Sequence, residues 1–152
     1  LDRLRKKGGI EKLRGQVRFS SLQYLTIKPV RRLRSGDGEQ LQVKLDNYVL
    51  LSPEAINLDE ANRAKLHKVM NAEPLALIEY WAVDPDYDGT VFRSVWQDYR
   101  GNTANDDDPL RVVTEARFDV PRKDGARRIC VRVVDVFGFE AEVVQAVAEC
   151  AP

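Results

Sequence analysis

The sequence predicts a mainly β protein: an antiparallel β-sandwich preceded by a β-hairpin and one linking helix. Three observations carry this. Beyond residue 74, apolar-rich stretches recur roughly every 10–15 residues with turn-forming clusters between them, the spacing of a sandwich rather than of βαβ units. Only residues 57–72 read as a helix of useful length. Of the 152 residues, 43% are apolar and 32% charged, an ordinary globular balance with no run near the roughly 18 apolar residues that would span a membrane.

The elements follow in order. Residues 1–15 form a basic connector in which Gly8-Gly9 stops any helix. From Gln16 a β pattern begins: Val17, Phe19, Leu22, Tyr24, Leu25 and Ile27 alternate imperfectly, as in a strand bulged around Ser20-Ser21, until Pro29 ends it. Ser35-Gly36-Asp37-Gly38 is a turn cluster. Beyond it Leu41, Val43 and Leu45 alternate with Gln40, Gln42 and Lys44 in a half-buried strand reaching residue 51. The two strands make a hairpin whose tip carries Arg31, Arg32 and Arg34.

Ser52-Pro53 breaks the second strand, and Asn57, three residues before Glu60, is a capping-box-like helix start. Leu66, Val69 and Met70 give that helix a narrow apolar stripe, beside which His67, the only histidine, reads as a surface or boundary residue. Strands are expected over residues 75–83, 91–100, 110–120, 127–136 and 140–148, with the Asp124-Gly125 turn before the fourth. The expected organisation is therefore 1–15 connector, 16–73 hairpin plus helix, and 74–152 sandwich.

The charge is unevenly placed. Lysine and arginine number 24 against 24 aspartate and glutamate, a formal net of zero. Residues 1–34 hold 11 basic and 2 acidic side chains, a net of +9, and the remainder holds 13 and 22, a net of −9. A basic run is ordinarily a solvated face. Its functional alternative is contact with a nucleic-acid backbone, where cations gain affinity by releasing counterions. The candidate contact residues are Arg3, Arg5, Lys6, Lys7, Arg31, Arg32 and Arg34.

Other constellations point less far. Asp84-Pro85-Asp86-Tyr87-Asp88-Gly89 matches the first half of a calcium loop, making Asp84, Asp86 and Asp88 candidate metal ligands. The twelfth position, which needs a bidentate glutamate, is Val95, so the plainer expectation is a strand-ending turn whose aspartates accept backbone N–H groups. Asp84-Pro85-Asp86-Tyr87 is also one residue from the Asp-Pro-Pro-Tyr motif of amino-methyltransferases, but Asp86 replaces the second proline and no glycine-rich cofactor loop accompanies it. One histidine and no Gly-x-Ser-x-Gly leave hydrolase chemistry unsupported, so no catalytic residue is assigned. Trp81, Phe92, Trp96, Tyr99, Phe118 and Phe137 fall at strand spacing, as core packing or as a stacking platform for a sugar or base. Cys130 reads as a small buried thiol and a bridge to Cys150 is the alternative. Two cysteines and no signal-peptide core point to a cytoplasmic protein. A start at Leu1, without methionine, points to a piece of a longer chain.

Two resemblances add to this. Residues 75–152 resemble a PKD-type, immunoglobulin-like sandwich module, through Asp84-Pro85-Asp86-Tyr87-Asp88-Gly89 leading to Phe92 and Trp96, and through Arg117-Phe118-Asp119-Val120-Pro121 followed by Val131-Arg132-Val133-Val134-Asp135-Val136-Phe137-Gly138. Residues 40–150 are similar to the C-terminal region of adenine-specific DNA methyltransferases of type III-like restriction systems. Leu41-Gln42-Val43-Lys44-Leu45-Asp46-Asn47-Tyr48-Val49, Ile78-Glu79-Tyr80-Trp81-Ala82-Val83-Asp84, Phe92 with Trp96-Gln97 and Tyr99-Arg100, and residues 131–138 carry the likeness. It implies a parent enzyme that methylates adenine N6 from S-adenosylmethionine, and a non-catalytic accessory role for this chain. That role needs no cofactor here, and implies contact with DNA or with a restriction helicase or nuclease subunit, and none with membrane. A protein-interaction sandwich without a nucleic-acid role is the alternative.

Overall fold

The computed structural model describes residues 23–50, 59–102 and 111–150. Within these residues, eight strands, one α-helix and one 3-10 turn follow in the order β1 (Gln23–Ile27), β2 (Arg31–Ser35), β3 (Gly38–Leu50), α1 (Glu60–Ala72), the 3-10 turn (Pro74–Leu77), β4 (Ile78–Asp84), β5 (Trp96–Tyr99), β6 (Glu115–Pro121), β7 (Arg127–Asp135) and β8 (Glu140–Val147). The mainly β, antiparallel architecture is as expected. The expected strand beginning at Gln16, its bulge at Ser20-Ser21 and the helix start at Asn57 lie outside the described residues. Within them, Asp59 caps α1 by accepting the Asn62 N–H at 2.8 Å.

The strands form two sheets. In the first, β3 is central: β2 pairs with its first half, β1 with its second half, and β6 with residues 38–44 along the opposite edge from β2. In the second the order is β5-β4-β7-β8, every pair antiparallel. Because β3 pairs with β6, the expected boundary between residues 73 and 74 does not divide the sheets. The segment before the helix supplies a central strand of the same sandwich.

Side-chain alternation explains the core. On β3, Leu41, Val43 and Leu45 are buried, then the pattern changes phase and Tyr48 and Leu50 are buried. The cause is a bulge. Thr26 faces Asn47 and Ile27 faces Leu45, so Asp46 is skipped in the register with β1. On β7 the inward residues are Arg127, Ile129, Val131, Val133 and Asp135, and β4 adds Trp81 and Val83. Trp81 is fully buried, donates its indole N–H to the Val113 carbonyl at 2.8 Å, and meets Trp96 edge-on with centroids 4.6 Å apart.

The arginines sit differently from expectation. They do not cap a hairpin tip but form β2 itself, and the turn is Gly36-Asp37, with Gly36 at a φ of 59°. Gly38, immediately after it, must lack a side chain, since a Cβ there would stand 2.7 Å from the Val120 carbonyl oxygen on β6. The helix is lightly seated: Leu66 is its one buried residue, with Val69 and Met70 packed partly against the core. Among the described residues no helix is long and apolar enough to cross a membrane.

Ile129 is fully buried where β7 faces β3. Its replacement by alanine removes packed methylenes and leaves a void, so Ile129→Ala is expected to lower stability by about 2–5 kcal/mol in denaturant unfolding, while Val144→Ala, at an exposed position on β8, is expected to stay within about 0.5 kcal/mol.

Candidate nucleic-acid interface

The strand geometry of β2 separates the arginines that the sequence placed together. Neighbouring strand residues point to opposite faces. Arg31 faces outward and is exposed, whereas Arg32 faces inward and is buried. Arg34, also exposed, stands in the register opposite Glu39, on the same side as Arg32. Arg3, Arg5, Lys6 and Lys7 lie outside the described residues.

Arg32 is a structural residue and is withdrawn from the contact set. Its Nε donates to Glu39 Oε1 at 2.7 Å and its Nη2 to Glu39 Oε2 at 3.1 Å, a two-pronged pair. Its remaining donors reach the carbonyls of Gly125 (2.7 Å), Lys123 (2.7 Å) and Ala148 (3.0 Å). Every direction of the guanidinium therefore ends on protein, and no donor is left for a phosphate.

Glu39 in turn joins the two sheets. Besides Arg32, its Oε1 accepts from Arg127 Nε at 2.9 Å and its Oε2 accepts the Lys123 N–H at 3.3 Å. Arg127 continues to both oxygens of Asp86, at 3.0 and 2.8 Å, and to the Pro121 carbonyl. The Arg32 hydrogen bonds, with those of Arg127 and the Lys123 amide, outweigh burial and hold the Glu39 carboxyl down at about 2.

These bonds also decide the fate of the aspartate motif. Asp84 is buried and accepts the N–H groups of Asp86 (3.0 Å) and Arg93 (2.8 Å). Asp86 is held by Arg127 and by Lys123 Nζ at 3.0 Å. Asp88 accepts from Thr90 and Val91 N–H at 2.8 and 2.9 Å and pairs with Arg93. The three carboxylates turn to three different sets of donors rather than converging on one point, and among the described residues no cluster of acids, histidines or cysteines could hold a metal ion. The strand-ending turn is the observed arrangement. The same engagement of Asp84 and Asp86 leaves no amine-gripping motif of the Asp-Pro-Pro-Tyr kind.

The aromatic residues do not share one face. Trp81 is buried and Trp96, Phe118 and Phe137 pack against the core, Phe92 lies beneath the Arg132 guanidinium at 4.6 Å, and Tyr99 is exposed. Cys130 is buried and Cys150 half-buried, both as free thiols, and burial pushes the Cys130 thiol up to about 12, so it is inert at neutral pH.

What the sequence reading missed is the setting of Arg31. It opens a cross-strand row, Arg31–Gln42–Arg117, on the outward side of the first sheet. In the next row the Lys28 N–H bonds the Lys44 carbonyl at 2.9 Å, bringing two lysines side by side. Lys28, Pro29, Arg31, Gln42 and Lys44 line a shallow hollow there. A second, more apolar hollow lies between β1 and β8, lined by Tyr24, Ile27, Pro29, Val143 and Val144 among others. The alternation of Gln40, Gln42 and Lys44 with the core residues was the signal that could have located the basic face. The chain matches no protein-family model, no curated protein and no solved structure.

Two outcomes follow from the buried network. Glu39→Gln, which leaves Arg32 and Arg127 facing an uncharged group, is expected to destabilise the fold by about 3–5 kcal/mol in denaturant titrations at pH 7. The carboxyl is depressed in the folded chain, so its contribution is present above its ordinary value of 4.5 and is lost as pH falls towards about 2. Stability measured between pH 6 and 2 should fall less steeply in Glu39→Gln than in the wild type.

Proposed function

We propose that this chain is a non-catalytic accessory module of an adenine-N6 DNA methyltransferase of a restriction–modification system, and that it contacts DNA. The observation that carries the DNA contact is the charge split, +9 over residues 1–34 against −9 over the rest, together with exposed Arg31 on the strand that ends the basic segment. Such a surface grips phosphates without reading sequence, which suits a module that adds affinity to a core enzyme while recognition and chemistry reside elsewhere. The likeness of residues 40–150 to the C-terminal region of these methyltransferases supports the assignment to that parent. In this reading S-adenosylmethionine belongs to the parent enzyme, the protein works in the cytoplasm, and Arg3, Arg5, Lys6, Lys7, Arg31 and Arg34 are the first residues to contact DNA.

A second reading is favoured by one specific feature. The hollow between β1 and β8 exposes Tyr24 (59%) and Val144 (44%), an apolar strip on a body of net negative charge. It fits the docking of a protein partner, a helicase or nuclease subunit of the same system or another protein altogether. Tyr24→Asp with Val144→Asp would abolish such docking without touching the basic segment.

Gel-shift titration at two salt concentrations tests the DNA contact. The chain is expected to retard duplex DNA at low salt and to lose affinity steeply as salt is raised, with further loss when Arg3, Arg5, Lys6, Lys7 and Arg31 are changed to glutamine. A chain that binds no DNA even at low salt would overturn the proposal and leave the protein-docking reading.

A further inference from the structure

We infer that the outward face of the first sheet is a phosphate-gripping site for duplex nucleic acid, centred on the hollow lined by Lys28, Pro29, Arg31, Gln42 and Lys44. The inference rests on the DNA-contacting reading above, but it places the contact on the folded body and on residues, Lys28 and Lys44, that the basic run alone does not single out.

The geometry assembles the site from three strands. Arg31 on β2, Gln42 on β3 and Arg117 on β6 occupy one cross-strand row, and Lys44 stands opposite Glu115 in the next. Strand spacing puts Arg31 and Arg117 about 10 Å apart at the backbone, and the rows are about 7 Å apart. The two rows with Lys28 therefore carry four cations and one carboxylate.

That carboxylate is already engaged. Glu115 accepts from Arg117 Nη2 at 3.0 Å, and this bond, with the charges of Lys44 and Arg117 beside it, keeps the carboxyl below its ordinary range. Among the described residues no ion pair ties Lys28, Arg31 or Lys44, and no acidic side chain lines the hollow. Two ammonium groups and one guanidinium are what an anionic oxygen cluster requires.

The composition of the lining selects the form of nucleic acid. Single strands are held chiefly by bases stacked on aromatic rings, and this hollow contains none; exposed Tyr24 lines the neighbouring hollow instead. The side chain of Phe118 belongs to the opposite, core-facing side of the sheet. A surface of cations and amides without rings follows a duplex backbone.

The test uses the full chain and fluorescence anisotropy with a labelled duplex, a single strand of equal length, and anionic vesicles as competitor. Lys28→Gln, Arg31→Gln and Lys44→Gln are combined in one variant, and because all three positions are exposed its melting temperature should match the wild type. The expected result is a salt slope shallower by about 2–3 for the duplex, the same for unrelated duplex sequences. A second variant, with Arg3, Arg5, Lys6 and Lys7 changed to glutamine, should retain duplex binding that the triple substitution then removes. If wild type binds duplex and the triple variant binds it with unchanged slope, this site is overturned while the DNA-contacting reading stands. If wild type binds no duplex at low salt, both fall. Binding of the single strand as tightly as the duplex, or of vesicles more tightly than either, overturns the duplex assignment.

Discussion

The Glu39 carboxylate, buried between Arg32 and Arg127, is the constraint on which the rest of this structure depends. A lone carboxylate in that position would be costly to desolvate, and so would either guanidinium. Together with Asp86 they form a set of two positive and two negative groups whose hydrogen bonds run to Lys123, Gly125, Pro121 and Ala148. One cluster thus ties together β2 and β3 of the first sheet, β7 of the second, the turn after β4, the β6–β7 turn and the end of β8. Arginine suits both cationic positions because a planar fork reaches several fixed acceptors at once, which an ammonium at the end of a flexible stem does not.

This arrangement sorts the charges of the chain into two kinds. Arg32, Arg127, Glu39 and Asp86 hold one end of the sandwich, and Asp84, Asp88 and Asp135 shape turns by accepting backbone N–H groups, as Asp135 does for Phe137 and Phe139 at 2.9 Å each. What remains for recognition is the exposed set. On the first sheet it is cationic and rich in amides; on the outer side of β8 it includes Glu140, while Glu142 beside it pairs with Arg132. A body whose total charge is negative therefore still presents a positive face, because much of its acid is engaged within the fold.

The elements with strong local signals were legible in the sequence. The alternation through Leu41, Val43 and Leu45, the run from Arg127 to Asp135, and the turns at Gly36 and Gly125 all appear as read. Three features were not. Strand alternation along β2 buries Arg32 while leaving Arg31 outside, and a run of arginines does not reveal which of them will meet Glu39. The expected strand over residues 91–100 shortens to Trp96–Tyr99, because Asp84 and Asp88 hold the preceding segment in a turn-rich path. The expected strand over 75–83 starts only at Ile78, where the 3-10 turn that opens with Pro74 ends. The candidate basic face lay half in view: Arg31 was visible in a charge run, but Lys28 and Lys44 come together only through β1–β3 pairing.

The inner side of the sandwich is fastened at two separate places. At one end Glu39 of β3 meets Arg127 of β7; at the other Tyr48 of β3 donates its hydroxyl to Asp135 of β7 at 2.6 Å, with Leu41, Val43 and Leu45 and Ile129, Val131 and Val133 between. A single fastener would fix the position of one sheet on the other and leave it free to pivot. Two, set at opposite ends of the same pair of strands, remove the pivot as well. The Asp46 bulge is what makes the second one reachable, since without its change of phase Tyr48 would point to solvent. The inserted residue on β3 thus acts as an alignment device: it sets the angle at which the outward faces of the two sheets are presented to whatever approaches them.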